Sequence, residues 1–95
     1  MSVSYETMII LSAKLDEDAT KALVEKFTGL IADNGTVDSV DEWGKRKLAY
    51  EIQKETDGYY VLVDFTCGPE FPEELNRIYK ITDGVLRYIT VRKQA

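Results

Sequence analysis

The chain predicts an α+β domain, a four-stranded antiparallel sheet with two helices on one face. Three observations carry that expectation. Two segments repeat apolar residues at helical spacing, and four read as β-rich apolar runs. They alternate in the order β-α-β-β-α-β. A length of 95 residues allows one modest core, so both helices are expected on the same sheet face. This is the ferredoxin-like arrangement. Right-handed crossovers then put the first and third strands at the centre, with the second and fourth at the edges.

Residues 5–11 form the first expected strand. Asp16 caps a helix, with Glu17 and Asp18 favourably placed in its first turn. Ala19, Leu23, Phe27, Leu30 and Ile31 share that helix's apolar face. Asn34-Gly35 stops it with a pair that tolerates positive φ. Residues 37 to about 54 make a long second strand, bent or bulged near Trp43-Gly44. Thr56-Asp57-Gly58 reads as the turn of a hairpin leading into a third strand at residues 59–66. Gly68-Pro69 breaks that strand, and Pro72 suits the first turn of the second helix. Leu75, Ile78 and Tyr79 supply its stripe, and Asp83-Gly84 ends it. Residues 85–91 are the last strand. No linker or repeat interrupts the chain, so residues 1–95 are read as one domain with a core of about 4–93.

Strand alternation puts Met8 and Ile10 on one face, and Thr7, Ile9 and Leu11 on the other. Both faces of the sheet are therefore apolar, yet only one is covered by helices. Either a partner covers the open face or long polar side chains shade it, and partner coverage is the expectation.

Composition narrows the chemistry. Apolar content of 44% with 31% charged residues fits a globular chain. No apolar run nears the roughly 20 residues that span a bilayer, and the start lacks a signal-peptide pattern. A soluble cytoplasmic protein without a membrane partner is expected. Cys67 is the single cysteine and histidine is absent, which removes the commonest general base and the commonest metal ligands. The glycines are scattered, without a phosphate loop. No catalytic residue, metal, cofactor or small-molecule substrate is expected.

The net charge of −5 argues against nonspecific nucleic-acid binding, but the charges are not evenly spread. Residues 1–42 hold nine acids against three lysines. Residues 45–54 hold four cations and one acid, and residues 84–95 three cations and no acid. The segment DEWGKRKLAYEI sets Trp43 and Gly44 beside Lys45, Arg46 and Lys47. Arginine offers a planar fork to phosphate and lysine a point charge. In a regular strand Lys45 and Lys47 share a face and Arg46 opposes them, whereas a bulge would let all three reach one surface. The bland alternative is that lysines on an edge strand discourage sheet-to-sheet pairing. Trp43 either stacks on an unpaired base or packs under the hairpin. Tyr50 shares its parity with Leu48 and Ile52 and reads as structural. Arg87 and Arg92 fall on opposite faces, available to RNA or to ordinary surface charge, including a salt bridge with Glu6 on a neighbouring strand.

Four stretches, YET near the start, WGKRKLAYEI, GYYVLVDF and the closing LRYITVR, resemble the bacterial ribosomal small-subunit protein six family. The resemblance runs over residues 5–93. It implies a structural constituent of the small ribosomal subunit. Such a protein binds the central domain, or platform, of small-subunit ribosomal RNA together with ribosomal small-subunit protein eighteen. It also implies RNA-facing roles for Trp43, Gly44, Lys45, Arg46 and Lys47, more loosely for Arg87, Arg92 and Lys93, and for Tyr5. A basic partner would reconcile an acidic chain with an RNA site. Two features depart from the family: Ser2-Val3-Ser4 stands where a basic residue is frequent, and the tail is short. The rival reading is a regulatory or interaction module that dimerises through its open sheet face. An enzyme of the acylphosphatase kind would need an arginine loop after the first strand, where this chain has Ser12-Ala13-Lys14.

Overall fold

A computed structural model describes residues 2–93. Its elements are β1 (Val3–Ser12), α1 (Glu17–Asn34), β2 (Gly35–Ile52), β3 (Glu55–Cys67), α2 (Phe71–Ile81) and β4 (Val85–Arg92). The sheet order is β2-β3-β1-β4, with every neighbouring pair antiparallel. This is the ferredoxin-like fold, with β1 and β3 central as the crossover rule requires.

The core lies between the sheet and both helices. β1 contributes Val3, Tyr5, Ile9 and Leu11, and β3 contributes Val61, Val63, Phe65 and Cys67. Phe27 and Ile31 from α1, and Phe71, Leu75 and Tyr79 from α2, close over them. Thr7 is buried among them. Its hydroxyl lies 3.2 Å from that of Tyr79 and 3.0 Å from that of Thr90. Thr90 donates onward to Asn76 at 2.9 Å, so the buried hydroxyls are satisfied. Burial pushes the Tyr79 phenol well above its ordinary pKa.

Local signals place the helices. The Asp16 carboxylate accepts from the Ala19 amide at 2.7 Å, satisfying one of the free N–H groups of α1. Pro72 sits in the first turn of α2, where its missing donor costs nothing.

Two expectations about turns are corrected. Gly35 has φ −178°, which is extended backbone and not a left-handed stop. It is needed for close approach, because a Cβ there would lie 2.2 Å from the Thr66 carbonyl oxygen. The hairpin between β2 and β3 exists, but it turns at Gln53-Lys54, whose φ values are 49° and 65°. Two central residues with positive φ match the twist of the flanking strands. Thr56, Asp57 and Gly58 already belong to β3. A Cβ on Gly58 would meet Ile10 Cγ2 at 2.5 Å and Leu48 Cδ2 at 3.1 Å.

The same hairpin is irregular near its tip. Lys47 pairs with Asp57 and Ile52 with Glu55, so residues 48–51 of β2 stand against Thr56 alone. The surplus chain buries Leu48 beside Gly58 and Ile10. Next to the turn, the start of β3 is fixed by Glu55. Its carboxylate accepts from the Ser12 hydroxyl at 2.7 Å and the Ala13 amide at 3.1 Å.

Candidate nucleic-acid interface

β2 carries the expected bulge. Glu42 pairs with Val61 and Gly44 with Tyr60, which leaves Trp43 as the extra residue. Gly44 has φ 81°, a conformation that glycine adopts without penalty. Trp43 is 41% exposed, so it does not pack under the hairpin. Its ring lies parallel to that of Tyr60, with centroids 6.1 Å apart and planes within 3°. The indole N–H donates to Asp41 at 3.0 Å.

Arg46 and Lys47 line one hollow with Trp43, Tyr60, Asp41 and Glu42. Lys45 does not join them. It lines a separate groove with Glu17, Lys21, Glu42 and Tyr59 beside the start of α1. There the Tyr59 hydroxyl donates to Glu42 at 2.9 Å. Burial, then the hydrogen bond and charge of Glu42, push the Tyr59 phenol up.

β4 divides its cations as the alternation requires. Arg87 stands opposite Ile10 on the face without helices, and Arg92 opposite Tyr5 on the helix side. Arg87 does not pair with Glu6. Its Nη1 donates to the Tyr50 hydroxyl, and its guanidinium carbon lies 6.0 Å from the centre of the Tyr50 ring. Tyr50 is 61% exposed, which corrects its reading as a packing residue. Neighbour parity missed it because residues 48–51 leave the strand register.

Lys93 is tied to β1 by its amide, which donates to the Ser4 carbonyl at 2.9 Å. Its ammonium lies 3.4 Å from Asp64. Tyr5 is corrected in the other direction. It is 8% exposed and stacked on Phe65 at 5.7 Å, so its ring belongs to the core and is withdrawn from the candidate surface.

The open face combines apolar side chains with acids. Ile89 and Val91 are exposed beside Met8 and Leu62, which are half-buried. Glu6 stands directly opposite Asp64. Asp64 Oδ2 receives the Ser39 hydroxyl at 3.2 Å, while its Oδ1 is buried without a hydrogen-bond partner among the described residues. Cys67 is buried on the opposite side, and desolvation, then the charge of Glu70, raises its thiol pKa. Among the described residues, no group of three or more carboxylate or thiol ligands is placed to hold a metal. No described helix is long and apolar enough to cross a membrane.

Exposed aromatics and cations around one sheet face define a ferredoxin-like protein that works by surface contact. Comparison with known proteins makes this specific: residues 4–92 match ribosomal protein S6, and the chain belongs to that family. It is 57% identical over 91 residues to small ribosomal subunit protein bS6 of Clostridium perfringens, covering 95% of this chain and 96% of that one. It is 54% identical over 90 residues to the bS6 of Caldanaerobacter subterraneus, covering 94% and 95%. The crystal structure of 30S ribosomal protein S6 from Thermotoga maritima superposes with a TM-score of 0.92 at 33% identity. That match covers 98% of this chain and 89% of the other. The protein is thus a structural, non-enzymatic component of the bacterial small ribosomal subunit in the cytoplasm, and it binds ribosomal RNA.

Proposed function

We propose that this protein binds the central domain of small-subunit ribosomal RNA jointly with small-subunit protein eighteen. The carrying observation is the exposed Trp43 beside Arg46 and Lys47, whose charges are not consumed internally. Among the described residues the ion pairs are Arg77–Glu74 and Lys93–Asp64. The nearby acids are engaged otherwise, Asp41 by the indole of Trp43 and Glu42 by Tyr59. Arg46 and Lys47 hold phosphates, Gly44 lets the RNA backbone approach, and Trp43 stacks on an unpaired base, a contact worth roughly 1–3 kcal/mol. Arg87 adds a phosphate contact at the far edge of the sheet. Lys45, Arg92 and Lys93 contribute longer-range attraction.

The open face takes the protein partner. Its exposed apolar side chains are suited to burial. Glu6 and Asp64 place two like charges opposite each other, and Lys93 pairs with Asp64 alone, so a further cation beside Glu6 would stabilise this face. A basic partner supplies that cation, and with it the positive charge that a chain of net charge −5 lacks. The pair clamps the RNA, with little base reading by this chain.

The test is titration of a central-domain RNA fragment with this protein, with and without protein eighteen, across a salt series. Cooperative binding that weakens with salt is expected. Failure of the folded pair to bind would overturn the reading. Self-association blind to RNA would favour the dimerising module instead. Undiminished binding after joint removal of Lys45 and Arg46 would remove the site assignment.

A further inference from the structure

The surplus segment at residues 48–51 carries an inference of its own. β2 and β4 are opposite edges of the sheet, yet Tyr50 of β2 touches Arg87 of β4. The contact is possible because four residues of β2 stand against one of β3 and cross the open face. Leu48 anchors the crossing by packing into the space that Gly58 leaves over Ile10. Tyr50 then reaches the guanidinium through its hydroxyl.

We infer that Tyr50 is a positioning residue for Arg87, and that the two form one contact point for a phosphodiester of ribosomal RNA. The inference rests on the RNA-binding role of Arg87 proposed above. A free arginine on an edge strand samples many rotamers, and fixing them on a phosphate costs conformational entropy. The Tyr50 hydroxyl accepts from Nη1, with the guanidinium end-on at the tip of the ring. That leaves the edge formed by Nε and Nη2 unused, and this edge is the fork that takes two phosphate oxygens at once. No carboxylate forms an ion pair with Arg87 among the described residues, so its charge is available to the ligand. The exposure of Tyr50 follows from the same geometry, since a residue that presents an arginine to a ligand has to stand at the surface.

The experiment measures affinity for a central-domain RNA fragment, with protein eighteen present, for the full chain and for Tyr50→Phe, Tyr50→Ala, Arg87→Ala and Tyr50→Ala/Arg87→Ala. The slope of log affinity against log salt is recorded for each, and thermal unfolding checks the fold. Arg87→Ala is expected to weaken binding about tenfold and to flatten the slope by about 0.7–0.9, one phosphate contact. Tyr50→Ala is expected to lose most of the same factor and to flatten the slope in the same way. Tyr50→Phe, which lacks the accepting hydroxyl, should lose about as much as Tyr50→Ala. In the Arg87→Ala background, removing Tyr50 should cost no further affinity. Equal losses from Tyr50→Ala with and without Arg87 would overturn the positioning role, because the tyrosine would then act independently. An effect of Arg87→Ala without any effect of Tyr50→Ala would overturn it too, while leaving the RNA role intact. Absence of RNA binding by the unsubstituted pair would overturn that underlying role, and with it this assignment.

Discussion

Single residues show where the sequence could be read and where it could not. Asp16 was legible because capping is local: an acceptor before an apolar-periodic segment meets an amide three residues on. Tyr5 and Tyr50 were not, because type and parity tell which face a side chain takes but not what lies over that face. Gly58 was legible as a special position but not in its cause. Alanine there would place its Cβ 2.5 Å from Ile10 Cγ2 and 3.1 Å from Leu48 Cδ2, so both packed side chains would have to shift. Gly58→Ala should therefore destabilise the protein by about 1–3 kcal/mol, read as a lower urea midpoint at constant slope. An unchanged midpoint would show that Leu48 and Ile10 repack freely. Tyr79 supplies a pH prediction. Burial raises its folded-state pKa, so its contribution is fully present below the unfolded value near 10.0 and is lost as pH rises above it. Stability should fall more steeply with pH above about 10 in the natural chain than in Tyr79→Phe. Parallel curves for the two proteins would assign alkaline unfolding to other groups.

At the scale of elements, all six segments and their order followed from periodicity. Their junctions were harder. Thr56-Asp57-Gly58 has the composition of a turn, yet the chain reverses at Gln53-Lys54, which carries no glycine or asparagine. Tertiary packing explains the difference: Glu55 is held by Ser12 and Ala13, and Gly58 is needed under Leu48, so β3 already begins at Glu55. The hairpin thus accepts two residues in a left-handed conformation that neither favours. Replacing them with Asn-Gly, as Gln53→Asn/Lys54→Gly, should stabilise the chain by about 0.5–1 kcal/mol in denaturant titration. A loss of stability would place the reversal elsewhere. The bulge at Trp43 was legible from its glycine, but its extent was not. It ends before the cations, so the three do not all reach one surface.

For the whole molecule, a ferredoxin-like sheet with helices on one side leaves its second face to be explained. Alternation within β1, β3 and β4 showed that this face is apolar, and the structure leaves Ile89 50% and Val91 48% exposed. If the basic partner protein docks there, those side chains lose water only in the complex. Ile89→Thr/Val91→Thr keeps the β-branched shape and the net charge while adding two hydroxyls that a dry interface cannot satisfy. Burial of each apolar side chain contributes about 1.5–3 kcal/mol when complete, so half of that from two residues exceeds a tenfold change in affinity. The double variant should unfold within about 0.5 kcal/mol of the natural chain, since its substitutions are exposed in isolation. Its affinity for protein eighteen, measured calorimetrically without RNA, should fall at least about tenfold. Its residual affinity for RNA alone should keep the natural salt slope, because Arg46, Lys47 and Arg87 are untouched. Undiminished partner binding would move the interface off the open face to the unpaired edge of β2, where Trp43, Arg46 and Lys47 lie.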